Sequence, residues 1–342
     1  MGETSIEWTD ATWNPTRGCS RISPGCGGGT PGGGGGCYAE RIAARFSGPG
    51  MAYEGLAEMT PDGARWTGRI RLVEEKLEEP LSWRRPRRVF VNSMSDLFHE
   101  GLSDADVLRV FELIRICAAK ERGHTFQVLT KRAERMRDFC SRLDFDPGSA
   151  DGARPHRLYL NKEVQPNRRG TPTSFVPHLK NLWLGVSVEN QKYADLRVPA
   201  LLKTPVAMRF LSCEPLLGPV DLARVVGEWE GRNDTWPRRL WDCLACAGTG
   251  YFQVDPFIAP CSSCSSPMAQ RGTGVGVRWV IAGAESGHGA RPMDEEWVRS
   301  LRDQCTAASV PFFYKQKLVG GHKVPTPPLD GKIWRQFPEV RP

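Results

Sequence analysis

The sequence predicts an α/β fold built from parallel βαβ units. Three observations carry this reading. Short apolar runs alternate with helical patterns along most of the chain, at 88–92, 125–130, 182–188, 207–212, 277–282 and 311–314. These runs end at polar or charged residues: Asn92, Thr130, Glu189, Glu214, Glu285 and Gln316. The chain of 342 residues also has room for an α/β barrel, which takes about 250 residues, with insertions besides. In a barrel or an open α/β sheet, ligands lie at the carboxyl ends of the strands. Polar residues at all of these ends are hard to explain by packing, so they predict a site there.

Composition sets the class. A hydrophobic fraction of 40% and a charged fraction of 25% are ordinary for a soluble globular protein. No apolar run approaches the roughly 20 residues that span a bilayer. Residues 1–10 carry acids and no apolar core, unlike a secretory signal. A cytoplasmic protein with no membrane partner is expected. Eleven cysteines in a reducing compartment argue for metal ligands over disulfides. The net charge of +7 permits a nucleic-acid partner without demanding one.

Residues 5–17 read as a short strand and a turn, with Trp8 and Trp13 in the core. A helical pattern follows at 38–46, and another at 72–81. Arg84, Arg85, Arg87 and Arg88 surround Pro86 and are the best phosphate-binding candidate in the chain. The helix at 103–122 is strongly signalled. Ser103 and Asp106 form a capping pair, and Val107, Val110, Phe111 and Ile114 make one apolar face. Further helices are expected at 131–143, 193–202 and 294–308. Residues 144–178 and 223–276 interrupt the alternation as insertions. The α/β body then comprises 1–222 and 277–330, with 331–342 as a tail.

Two cysteine sets stand out. Cys19, Cys26 and Cys37 occur as C-x6-C-x10-C ahead of the 38–46 helix. Three thiolates on one loop can hold three irons of a [4Fe–4S] cluster and leave the fourth open. Two other readings of the spacing stay open, a zinc site completed by a distant histidine and no metal at all. Between Cys26 and Cys37, eight of ten residues are glycine. Such chain is flexible and costs entropy to order, though loop closure grows only slowly with length. The second set is Cys243 and Cys246, then fourteen residues, then Cys261 and Cys264. Paired C-x2-C turns predict a structural Zn2+ site within the 223–276 insertion. A second iron–sulfur cluster is the competing reading.

The N-terminal motif Ile6-Glu-Trp-Thr-Asp-Ala-Thr-Trp-Asn-Pro15, with Gly18-Cys19, Ser23-Pro-Gly-Cys26 and Cys37-Tyr-Ala-Glu40, resembles a phage- and prophage-associated family of radical-SAM-like proteins of unknown function. Val91-Asn-Ser-Met-Ser-Asp-Leu-Phe98, Leu129-Thr-Lys-Arg132, Trp183-Leu-Gly-Val-Ser-Val-Glu-Asn190, Leu211-Ser-Cys-Glu-Pro215 and Gly283-Ala-Glu-Ser286 extend the resemblance over nearly the whole chain. It implies a partial TIM-like (β/α) barrel of the radical SAM type. It also implies a [4Fe–4S] cluster on Cys19, Cys26 and Cys37, with S-adenosyl-L-methionine on the open iron. In that family the last two cysteines form C-x2-C, so the glycine run is an expansion here.

The candidate cofactor site is Tyr38, Asn92, Ser93, Asp96, Glu189, Glu214 and Glu285. Glu189 and Glu214 are expected to reach adenosyl or ribose hydroxyls, or else to cap the following helices. The expected function is a radical S-adenosylmethionine enzyme that generates a 5′-deoxyadenosyl radical, served by a reductant protein. A nucleic-acid base or nucleotide is the preferred substrate, from the basic balance, the zinc insert and the phage setting. The competing class is a non-catalytic zinc or iron–sulfur protein that binds nucleic acid through the insert and the arginines at 84–88.

Overall fold

A computed structural model describes residues 4–27, 37–120, 122–146, 157–162, 176, 179–223, 251–254, 257–260, 276–287 and 289–339. Its centre is an eight-stranded sheet: β1 (Ala11–Trp13), β2 (Arg88–Val91), β3 (Thr125–Thr130), β4 (Leu182–Ser187), β5 (Met208–Cys213), β6 (Val280–Gly283), β7 (Phe312–Val319) and β8 (His322–Pro325). Neighbours in the sheet are neighbours in the chain. β1 to β7 run parallel, and β8 turns back antiparallel on β7. Successive right-handed crossovers in strict chain order curl a sheet in one direction. The result is a half-barrel. It is a partial barrel, as the resemblance implies, because β1 and β8 remain as its two edges.

The strand sequences explain the two faces. β4 and β5 are buried along their whole length, as parallel strands covered on both sides must be. Val89 and Val91 of β2, Phe126 and Val128 of β3, and Leu182, Leu184 and Val186 of β4 face the outer layer. There they meet helices α2 (Asp104–Ala119), α3 (Ala133–Arg142), α4 (Gln191–Lys203) and α5 (Glu295–Ala307). Ser103 and Asp106 cap α2 reciprocally, as the sequence predicts. Asn190, and not Glu189, caps α4, accepting from the Tyr193 N–H. Helix α1 (Tyr38–Arg45) packs apart from this layer, its Ala43 and Ala44 against Tyr53, Leu56 and Ala57.

The concave face carries aromatic rings. Trp8, Phe90, Trp183, Phe210, Trp279 and Phe313 form one buried cluster, with Phe337 packed against it. Trp8 lies 4.7 Å from Phe90 and 6.1 Å from Trp279 between ring centroids. Trp8 precedes β1, so the segment at 5–8 lies across the open side of the half-barrel. Glu7 ties it to the other edge through an ion pair with Lys323 of β8 at 2.7 Å. The stretch expected as a tail also joins this plug. Phe337 stacks 5.3 Å from both Trp279 and Phe313, and Lys332–Ile333 pairs with Pro328–Leu329.

Other differences have local causes. The 72–81 helix is broken into Glu74–Leu77 and a 3-10 turn at Glu79–Ser82, because Pro80 cannot continue the first turn. Part of the 144–178 insertion is a ribbon, Leu143–Asp146 against Arg157–Leu160. Within the second insertion, Tyr251–Val254 pairs with Phe257–Pro260. Cys243, Cys246, Cys261 and Cys264 lie outside the described residues, and no zinc site is found among the residues that are described.

Gly185 of β4 lies close against the Phe210 ring. A Cβ there would stand 2.6 Å from the Phe210 ring. Gly185→Ala is therefore expected to lose about 1–3 kcal/mol through overpacking. Urea denaturation measures it, and adding Phe210→Leu should recover part of the loss.

Candidate functional site

At the carboxyl ends of the strands lies a cavity of about 320 Å3. Cys19, Cys26 and Cys37 all line it, together with Tyr38, Asn92, Ser93, Asp96, Glu214 and Glu285. Of the sequence-predicted residues, Glu189 alone is not on the lining. Four cations that the sequence reading did not single out for the site, Lys131, Arg132, Lys315 and Lys323, are on it.

The cysteine loop is held to the sheet by carboxylates and arginines. Glu189 is completely buried. It accepts from Ser23 Oγ of the loop and, at 2.8 Å, from Arg197 Nη1 on α4. A Cβ on Gly25 would stand 2.5 Å from Glu189 Oε1, so only glycine lets the loop approach this closely. Glu285 holds Arg291 through both carboxylate oxygens at 2.7 and 2.9 Å, and Arg291 Nη2 donates to the Pro24 carbonyl at 2.8 Å. Asp96 and Glu100 fix Arg132, which donates to Ser20 Oγ at 2.7 Å. Ser20 also meets His99 Nε2 at 2.9 Å. His99 Nδ1 accepts from the Gly101 N–H, so Nε2 carries the proton and donates. Arg21 reaches forward to Glu40 of α1, whose carboxylate also accepts from the Trp66 N–H at 2.8 Å.

The ends of the glycine run are joined at their base. The Cys37 N–H donates to the Cys26 carbonyl at 3.3 Å, and Pro24–Cys26 forms a 3-10 turn closed by Cys26 N–H to Ser23 O at 2.9 Å. Cys26 and Cys37 are thereby backbone neighbours despite the ten residues between them.

Charge around the thiols is mixed. Burial pushes the Cys19 thiol up to about 12, with the nearby Asp96 charge adding to it. Burial also raises Cys37. For Lys131, burial opposes the charge, but Cys26 and Glu189 beside it outweigh this and hold the ammonium above its usual range. Lys131 stands 3.2 Å from Ser187 Oγ and 4.0 Å from Glu189. Glu214 pairs with Lys315 at 2.8 Å. Tyr38 donates its hydroxyl to the Ser93 carbonyl.

Thiolates are the donors of iron–sulfur clusters and of single soft ions alike. Among the described residues, no three His, Cys, Asp or Glu side chains converge to hold one metal ion. A [4Fe–4S] cluster gives each thiolate its own iron, so its ligands stand farther apart than the ligands of one ion. Three thiols from one loop on one cavity, with Lys131 and Arg132 beside them to balance thiolate charge, suit that need.

The arginines at 84–88 lie elsewhere. They precede and begin β2, at the amino ends of the strands. Arg88 pairs with Asp10 at 2.8 Å and stacks 4.1 Å above Phe337, and Arg87 stacks on Trp83.

Two outcomes follow from the loop contacts. Glu189→Ala leaves Arg197 buried without its carboxylate and is expected to cost about 3–5 kcal/mol. Chemical denaturation reads that loss, and faster alkylation of Cys19 and Cys26 reads the loosened loop. For Asp96, burial alone would raise the pKa, but the Arg132 charge and hydrogen bonds from Thr130, Lys131 and Phe98 hold the carboxyl below its usual value. Its stabilisation is complete above the unfolded value of about 4 and is lost as pH falls through the lower native value. Asp96→Asn should be less stable than the parent at neutral pH, yet lose less as pH falls below about 4. Urea midpoints across that range check the sign.

No curated protein and no solved structure matches this chain. A family described as "protein of unknown function (DUF5131)" matches residues 3–338, nearly the whole length. The chain belongs to that family.

Proposed function

We propose that this protein is a radical S-adenosylmethionine enzyme. The observation that carries the reading is the convergence of Cys19, Cys26 and Cys37 on the cavity at the strand ends. Their loop is pinned to that cavity through Ser20, Ser23 and Pro24. Cys19, Cys26 and Cys37 would hold the [4Fe–4S] cluster. When bound and reduced, such a cluster supplies the electron that splits the sulfonium of S-adenosylmethionine and yields a 5′-deoxyadenosyl radical.

The chain's own residues do the rest. Glu189, Arg291 and Arg132 orient the cysteine loop. Lys131 offsets thiolate charge. Glu214, held by Lys315, and Ser212 offer acceptors to ligand hydroxyls. Trp8, Phe90 and the rings behind them close the inner end against water. A nucleic-acid base or nucleotide is the proposed substrate, and a reductant protein the proposed partner. Zinc on Cys243, Cys246, Cys261 and Cys264 remains part of the proposal from their spacing. The non-catalytic alternative draws little from the arginines at 84–88, because Arg88 is engaged by Asp10 at the far ends of the strands.

Anaerobic reconstitution tests the reading. The parent should load about four irons and turn brown. Cys19→Ala, Cys26→Ala and Cys37→Ala should each abolish loading and reductive cleavage of S-adenosylmethionine. Removing eight of the ten residues between Cys26 and Cys37 should keep the iron, since the Cys37–Cys26 hydrogen bond already closes the loop at its base. A Cys37→Ala protein that still loads four irons and cleaves S-adenosylmethionine would defeat the proposal.

A further inference from the structure

Six of the ten large apolar side chains exposed among the described residues lie between residues 22 and 59. Helix α1 carries the ordered part of that patch. Tyr38, Ile42 and Phe46 fall at i, i+4 and i+8, so they share one face of the helix and its end. They are 42%, 38% and 52% exposed, while Ala39, Glu40, Ala43 and Ala44 take the buried face. Met51, on the turn that follows, is exposed as well. On a solvated helix, polar residues take the outward positions. The stripe starts at the site, because Cys37 is the N-cap of α1 and Tyr38 lines the cavity. The nine residues at 28–36, which precede it in the chain, are glycine, threonine and proline, and hold no large apolar side chain that could cover it.

The charges around the stripe are of one kind. Between residues 17 and 71 there are seven arginines, no lysine and four acids. One of the acids, Glu40, is buried against Arg21. Arg45 is exposed in the last turn of α1. Arg71 donates to the carbonyl of Ala52, next to Met51, at 3.0 Å, and Arg17 lies 5.7 Å over the Tyr53 ring. Protein–protein interfaces are enriched in aromatic residues, methionine and arginine and depleted in lysine. A nucleic-acid surface uses lysine as readily as arginine.

We propose that the α1 face, Tyr38, Ile42, Phe46 and Met51 with Arg45 at the rim, docks an acidic redox protein that delivers electrons to the cysteine loop. The apolar stripe gives contact, and the arginines select a negatively charged partner. Eight helical residues rise about 12 Å, so a partner seated on the stripe stands close to Cys37. Electron tunnelling falls off steeply with distance, which makes this the useful face. The exchange is one electron: the partner is oxidised by one, and a cluster on Cys19, Cys26 and Cys37 is reduced by one. The inference rests on the radical-enzyme reading for that step but not for the docking. Encounters of this kind have small interfaces.

The probes are two acidic electron carriers, a flavodoxin and a [2Fe–2S] ferredoxin. Their binding to the full chain without iron is measured by calorimetry. One of them should bind, and added salt should weaken the complex by screening exposed charges. Ile42→Asp and Arg45→Glu should each weaken it about tenfold. Both positions are exposed, so both variants fold. Leu196→Asp, at an exposed position on α4, should bind as the parent does. In iron-loaded protein, the reduced carrier should reduce Ile42→Asp and Arg45→Glu about tenfold more slowly than the parent. Dithionite, which needs no docking, should reduce all of them at the parent's rate. Binding of neither carrier, or binding that survives both Ile42→Asp and Arg45→Glu, overturns the proposal. Self-association of the parent that Ile42→Asp abolishes also overturns it, as does binding of a single-stranded oligonucleotide that is lost in both variants while carrier binding stays. A chain that loads no iron yet binds a carrier through this face leaves the surface standing and sinks the radical reading alone.

Discussion

The buried carboxylate of Glu189 is the constraint on which the site depends. It sits just past the end of β4, wholly withdrawn from water, and a charge there is tolerable only if paired. Arg197 from α4 and Ser23 from the cysteine loop provide the pairing. One side chain thereby joins the sheet, a covering helix and the loop that carries the thiols. Glu285 and Asp96 repeat the arrangement past the ends of β6 and β2, two strands away on either side, each acting through an arginine. The loop is consequently fixed by charge pairs made in a dry environment, where they are stiff, rather than by its own glycine-rich chain.

Much of the fold was legible in local pattern. The alternation of apolar runs with helical faces identified β2 to β7 and their order, and Ser103 with Asp106 marked the start of α2. What escaped depended on partners distant in sequence. Nothing near residue 8 says that Trp8 fills the concave face against Trp279, and nothing near 337 says that Phe337 joins them. The open sheet was foreseen only through the family resemblance, because the strand pattern of a half-barrel and a barrel is the same until the edges are seen to pair or not.

For the site, the rule that polar residues end the strands located the cavity correctly but not the work of each residue. Asn92 and Glu214 face the cavity, whereas Glu189 turns beneath the loop. The difference is set by the nearest cation, Arg197 in one case and Lys315 in the other. A carboxylate looks the same in sequence whether it meets a ligand or a buried arginine. Lys131 directly follows Thr130 and Lys315 directly precedes Gln316, so both were open to the same rule, had it been read one residue to either side.

The crossing of the open side by residues 5–8 bears on how the chain is made. Trp8 leaves the ribosome long before Trp279, Lys323 and Phe337, which enclose it and follow it by some 270 to 330 residues. Until then the concave rings have no cover, and the strands already formed present an unsealed apolar trough. Contacts of such long sequence separation form slowly, and exposed troughs of this kind attract chaperones and one another. The half-barrel can therefore be completed only once β8 and Phe337 have been made, and a chain interrupted before β8 would be a stalled, sticky intermediate rather than a smaller version of the protein.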